Sequence, residues 1–324
     1  MQNNKQRFKI YNWLNRDGSG IKPEDVVTST NLRGFFYRYK ISFSKLLSIN
    51  ILYVLGNFFL IFLILTFAGV TKIDYFHPSQ DIFALQNGII IANGGAQNAL
   101  DFSLCTTIAQ QTLSSANTPL TYVFWILASL TLLTWGCVNA GATYLTRNLV
   151  MGEPVFTFSD FWYCVKKNWK QALPFGIFDA IICILIPCNI YIMLISSGDY
   201  LSSLVLWMNI ALFFIYTFMR FYIYVQMVSF NLSIKKILKH SFAFSILGWK
   251  RNFMALFGIV LLLILEYLFL IVGGGILLPL AVGFPLMLLF SHALFMKTYA
   301  SFFVIKRYMI DEDSQDACGD AHTP

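Results

Sequence analysis

Three ionisable residues, Asp179, Glu266 and His292, fall inside long apolar stretches of the chain. Charge in such surroundings is expensive, so these groups mark either an ion or proton pathway or a set of interhelical hydrogen bonds. Lining one water-accessible cavity, they would form a polar path for a proton or a hydroxylated solute. Serving separate helix contacts, they would be structural. Spacing along the chain does not choose between the two. Asn50, Asn57, Asn139 and Asn209 are further polar residues in the same stretches. Asp179 is expected about 10 Å inside its apolar segment, at 1.5 Å per helical residue. Arg220 is expected near the end of its own segment, where its stem can snorkel outward.

The sequence signals that would announce an enzyme or a cofactor are missing. No HExxH, nucleophile elbow or nucleotide fingerprint occurs. Gly273-Gly274-Gly275 is followed by neither the lysine nor the Ser/Thr of a phosphate loop, and the DGSG at 17–20 lacks the remaining ligands of a calcium loop. The six cysteines form no CxxC pair and no zinc-spaced cluster with histidine. The expectation is therefore no enzymatic activity, no metal and no cofactor.

The elements that carry the three ionisable residues must be membrane spans. The 324-residue chain is 57% apolar and 12% charged, with a mean hydropathy of +0.64, whereas soluble domains carry about 25% charged residues. Six segments reach the roughly 20 apolar residues that cross a bilayer: about 46–69, 120–146, 172–196, 200–228, 252–272 and 276–302. The fold expected is all-α, a polytopic membrane protein of three helical hairpins. It is flanked by an N-terminal segment 1–33 and a tail 304–324, and a loop 70–119 in which 99–114 has helical character. Nine of the 23 lysines and arginines precede the first segment, and Lys72 stands alone in loop 70–119. The other basic clusters fall between segments two and three, between four and five, and after six. With six crossings all of these lie on one side. The positive-inside rule then places both termini in the cytoplasm and the chain in the cell membrane. The same rule accounts for the net charge of +7, so the expected environment is lipid and nucleic acid is not an expected partner.

Between the second and third segments lies GEPVFTFSDFWYCVKKNWKQALPFG, residues 152–176. On a helix over 160–173 capped by Ser159, Phe161, Trp162, Val165, Trp169, Ala172 and Leu173 share one face, and Tyr163, Lys166, Lys167, Lys170 and Gln171 the other. This is the pattern of an amphipathic elbow lying in the interface before a span. Residues 233–251 repeat it, ending Trp249-Lys250, and 34–45 repeat it loosely. The reading is three units, each an elbow followed by a hairpin. Gly136 and Ala140 form a small-xxx-small pair that permits close helix packing. Glu153 is placed to pair with Arg147, just after the second segment, or with an elbow lysine, and so to fix the elbow's angle.

Residues 137–178 resemble the YesL-like family of bacterial integral membrane proteins. The resemblance rests on Ala140-Gly141, Tyr144, Arg147, Gly152-Glu153, Asp160-Phe161 and Lys167-Asn168-Trp169-Lys170. It implies a multi-pass membrane protein encoded near carbohydrate-uptake transporters and polysaccharide-degrading enzymes. The chain departs from it in the long loop 70–119. Two functions follow as expectations: an accessory or assembly subunit of a solute (carbohydrate) transporter, or a self-sufficient transporter or channel using Asp179, Glu266 and His292.

Overall fold

The computed structural model describes residues 31–78, 111–196, 200–272 and 278–310. Readings that rest on 1–30, on 99–110, on the inter-span connections 197–199 and 273–277, and on the tail 311–324 lie outside the described residues. The elements run α1 (Leu32–Gly56), α2 (Leu60–Phe67), β1 (Lys72–Pro78), β2 (Gln111–Asn117), α3 (Pro119–Ser129), α4 (Thr131–Met151), α5 (Thr157–Ser196), α6 (Tyr200–Ser229), α7 (Ile234–Leu247), α8 (Trp249–Val272), α9 (Leu278–Phe284), a π-helical turn (Pro285–Leu289), α10 (Phe290–Ile305) and a second π-helical turn (Lys306–Ile310). Five helical stretches are long and apolar enough to cross a membrane, and six when the bent pair α1–α2 is one crossing. The chain is an all-α polytopic membrane protein.

The first span is not straight. α1 and α2 meet at 70°. Gly56 ends α1 against Val138 of α4, where a Cβ would collide with the valine. Asn57 then turns its side-chain amide back onto the Tyr53 carbonyl at 3.1 Å. A side chain bonding within the helical ladder, next to a glycine, is a sufficient cause of a bend.

Loop 70–119 begins and ends in a ladder that the sequence reading did not anticipate. β1 and β2 pair antiparallel from Lys72 opposite Asn117 to Pro78 opposite Gln111, so residues 111–114 are strand and not helix. The ladder is pinned at its base. Thr118 and Thr121 both donate to the Thr71 carbonyl, at 2.6 and 3.0 Å, and the Thr121 and Thr71 hydroxyls lie 2.9 Å apart.

The elbows also differ from expectation. Residues 157–171 are not a separate interfacial helix but the first turns of α5, a single helix of 40 residues. That is about 60 Å of helix, twice the hydrocarbon thickness. Nothing between Asp160 and Leu173 breaks a helix, and Pro174 is tolerated at an exposed position. The start is three residues earlier than a Ser159 cap requires, and Asp160, in the first turn, reaches back to accept the Phe156 N–H at 2.8 Å. The predicted face divides: Phe161 and Ala172 are buried and Val165 half-buried, while Trp162 and Trp169 stay exposed beside Lys166, Lys167 and Lys170. The stretch 34–45 is likewise continuous with its span. Only the second elbow, α7, stands apart, because Gly248 ends it beneath the Tyr222 hydroxyl, where no Cβ fits.

The core lies toward the end of the bundle that carries the basic loops. There Leu145, Val150, Tyr222, Val225, Phe295 and Ile305 are buried together. Toward the opposite end the hairpins expose apolar side chains on nearly every face, from Ile184 to Ile195, Leu201 to Leu212 and Val260 to Ile271. Such surface requires lipid or another apolar partner.

Candidate functional site

Asp179 is fully buried and gathers donors from three directions. From α6, Tyr216 donates to Oδ1 at 2.7 Å, Tyr224 donates to Oδ2 at 2.8 Å, and the Arg220 Nε lies 2.8 Å from Oδ1 and 3.0 Å from Oδ2. These residues recur every four positions, so one face of α6 presents all three. From α4, the Trp135 indole N–H donates to Oδ2 at 3.0 Å. One turn along α5, the Cys183 thiol approaches Oδ1 at 3.7 Å. Arg220 lies over the Trp135 ring, 5.4 Å from its centroid. The aspartate is therefore saturated: both oxygens are engaged, its charge is matched, and three helices are tied at one level. The expectation that Arg220 snorkels is corrected. A counter-ion one helix away holds it inside, with its side chain 22% exposed.

The polar layer continues into α1. Tyr53 donates to Asn139 Oδ1 at 3.3 Å, and Asn139 returns its amide to the Trp135 carbonyl at 2.8 Å. From α10, Lys297 comes within electrostatic reach of Asp179, Arg220 and Cys183. The sequence pattern did not single out Lys297 as a member of this layer. Four-residue spacing of Tyr216, Arg220 and Tyr224 was the available signal for the rest.

Glu266 and His292 make no contact with Asp179. His292 is buried on α10 between the rings of Tyr39 and Phe43, at 5.4 and 5.5 Å, and its Nδ1 lies 2.6 Å from the Leu288 carbonyl. Its Nε2 has no partner. Glu266 sits partly exposed on α8, with one carboxylate oxygen buried and unpartnered. The three residues occupy different helix contacts rather than one cluster. Among the described residues no group of three or more His, Cys, Asp or Glu is placed to hold a metal ion.

Two smaller expectations are also settled by geometry. Arg147 does not reach Glu153. Its Nη1 donates to the Val228 carbonyl and the Ser229 hydroxyl, both at 3.3 Å, because the end of α6 lies closer than the α4–α5 loop. Gly136 does mark a close crossing, and its partner is Gly176 of α5.

No curated protein and no solved structure matches the chain. A family model described as "Protein of unknown function, DUF624" matches residues 118–190, less than a quarter of the chain. That stretch spans α3, α4 and most of α5, so it holds Trp135, Gly136, Gly176 and Asp179 but not Arg220, and over it the chain is similar to that family.

Proposed function

We propose that the chain is an accessory or assembly subunit in the cell membrane, working beside a solute-uptake system, with both ends in the cytoplasm. The observation that carries this reading is the saturation of Asp179 by Arg220, Tyr216, Tyr224 and Trp135. This fully buried carboxylate is used to hold helices together, leaving no acceptor on it for a passing proton or sugar hydroxyl. The separation of Glu266 and His292 from it supports the same reading, as do the apolar faces of the far hairpins, which suit contact with another membrane protein. Carbohydrate as the solute rests on the resemblance of residues 137–178 to YesL-like proteins. Pull-down of tagged chain from mild detergent is expected to recover a transporter permease. Recovery of the chain alone, with transport of a sugar by the purified chain in liposomes, would overturn the proposal.

A second reading, a self-sufficient transporter, is favoured by Lys297. Among the described residues no hydrogen bond or ion pair engages its ammonium, and an unpaired cation in a span marks a pathway more often than a scaffold. Uptake by liposomes carrying the purified chain, abolished by Lys297→Gln, is the result this reading expects.

A further inference from the structure

At the basic end, α1 and the α4–α5 loop enclose a cavity of about 360 Å3. Arg38, Ser42 and Lys45 line it from one face of α1, at spacings of four and three residues, with Tyr37 beside Arg38, and Gly152 and Glu153 close it from the loop. Arg38 donates through Nη1 to the Val150 carbonyl and lies 5.4 Å over the Phe303 ring. Its Nε is buried and has no partner. Lys45 is exposed, about 10 Å further along the helix axis at 1.5 Å per residue. Glu153, free of Arg147, is exposed at the rim. Gly152 leaves the mouth open, since a side chain there would meet nothing within 4 Å.

We propose that this cavity binds a phosphate ester whose substituent carries hydrogen-bond donors. Two cations on one helix face, both lining the cavity, match a phosphate's charge and its acceptors. The carbonyls at the end of α4 would repel an anion, and Arg38 occupies one of them, which leaves the phosphate on the α1 side. Glu153 faces the opposite need: it accepts from the hydroxyls or ammonium of the substituent. A glycerol or ethanolamine phospholipid headgroup has this chemistry, and so does a soluble sugar or glycerol phosphate. The level suits the lipid, because the cavity lies where α1 passes from its basic, aromatic start into its apolar span, and basic pockets between membrane helices hold headgroups.

The test is native mass spectrometry and thermal melting of the full chain in detergent. Dioleoyl-phosphatidylglycerol, dioleoyl-phosphatidylethanolamine, dioleoyl-phosphatidylcholine and glycerol 3-phosphate are titrated in turn. Retention of phosphatidylglycerol or phosphatidylethanolamine over phosphatidylcholine is expected, weakened roughly tenfold by Lys45→Gln and by Glu153→Gln, in line with loss of one charge-assisted hydrogen bond. Both substituted residues are exposed, so both variants keep the wild-type melting point without lipid. Retention of glycerol 3-phosphate alone, equally sensitive to both variants, assigns the site to a soluble ester. Equal retention of all four compounds, or retention unchanged in both variants, overturns the proposal.

Discussion

Gly136 of α4 and Gly176 of α5 meet backbone against backbone. A Cβ built on Gly176 would strike the Gly136 main chain, and one on Gly136 would strike the Ala172 carbonyl. No side chain is available to yield at this crossing, so Gly136→Ala and Gly176→Ala are expected to force the helices apart, costing about 1–3 kcal/mol or more. Gly283→Ala is the control, since open space surrounds that position and alanine gains about 1 kcal/mol of helix propensity. Melting curves read by size-exclusion chromatography in detergent would show the loss in both variants; an unshifted Gly176→Ala melt would refute the close approach.

Asp179→Asn leaves the Arg220 cation inside the bundle with a neutral partner. The expected loss is about 3–5 kcal/mol, the usual effect of breaking a buried pair by removing one member. Arg220→Gln on that background should recover part of it. A double-mutant cycle measures the coupling, expected at about 0.5–3 kcal/mol for contacting residues; strictly additive losses would contradict the ion pair.

Asn50 holds the π-helical turn in place. Its Nδ2 donates to the Pro285 carbonyl at 2.9 Å, and its Oδ1 accepts the Ser291 N–H at 2.8 Å. A π-turn opened by a proline frees a carbonyl and an N–H together, and one amide side chain satisfies both. Asn50→Leu, similar in size, strands them and should cost about 1–3 kcal/mol for each group. Hydrogen exchange at Ser291 reports it directly: protection there should fall in the variant, and unchanged protection would mean another partner.

Arg147 and Glu153 should separate cleanly in a stability assay. Arg147→Ala removes two hydrogen bonds to the end of α6 and is expected to lower the melting point. Glu153→Ala removes no described side-chain contact and should leave it in place. A matched loss in both variants would restore the ion pair between them.

Hydropathy made a polytopic, all-α chain readable, because lipid selects for apolar length and little else. It could not reveal the bend at Asn57. A helix turning by 70° inside an apolar run keeps the same composition, and nothing in that composition tells that the Asn57 amide bonds back onto the Tyr53 carbonyl rather than facing a neighbouring helix. The elbow at 157–171 was legible as amphipathic but not as continuous with its span, since continuity depends on what α4 buries against Phe161 and Ala172. Asp179 was found from its cost. Its partners were not, because Arg220 near a helix end reads equally as a snorkelling cation until α5 and α6 are side by side. Glu266 and His292 were found by the same rule as Asp179, and only packing separates them from it.

The ladder between Lys72 and Asn117 has a practical corollary. Neighbouring strands run about 5 Å apart, so residues 79–110 leave and rejoin the molecule at almost one point, above a threonine clasp. A reporter spliced between Pro78 and Gln111 has one strand spacing to bridge, so its attachment leaves the ladder and the register of the spans beneath unstretched.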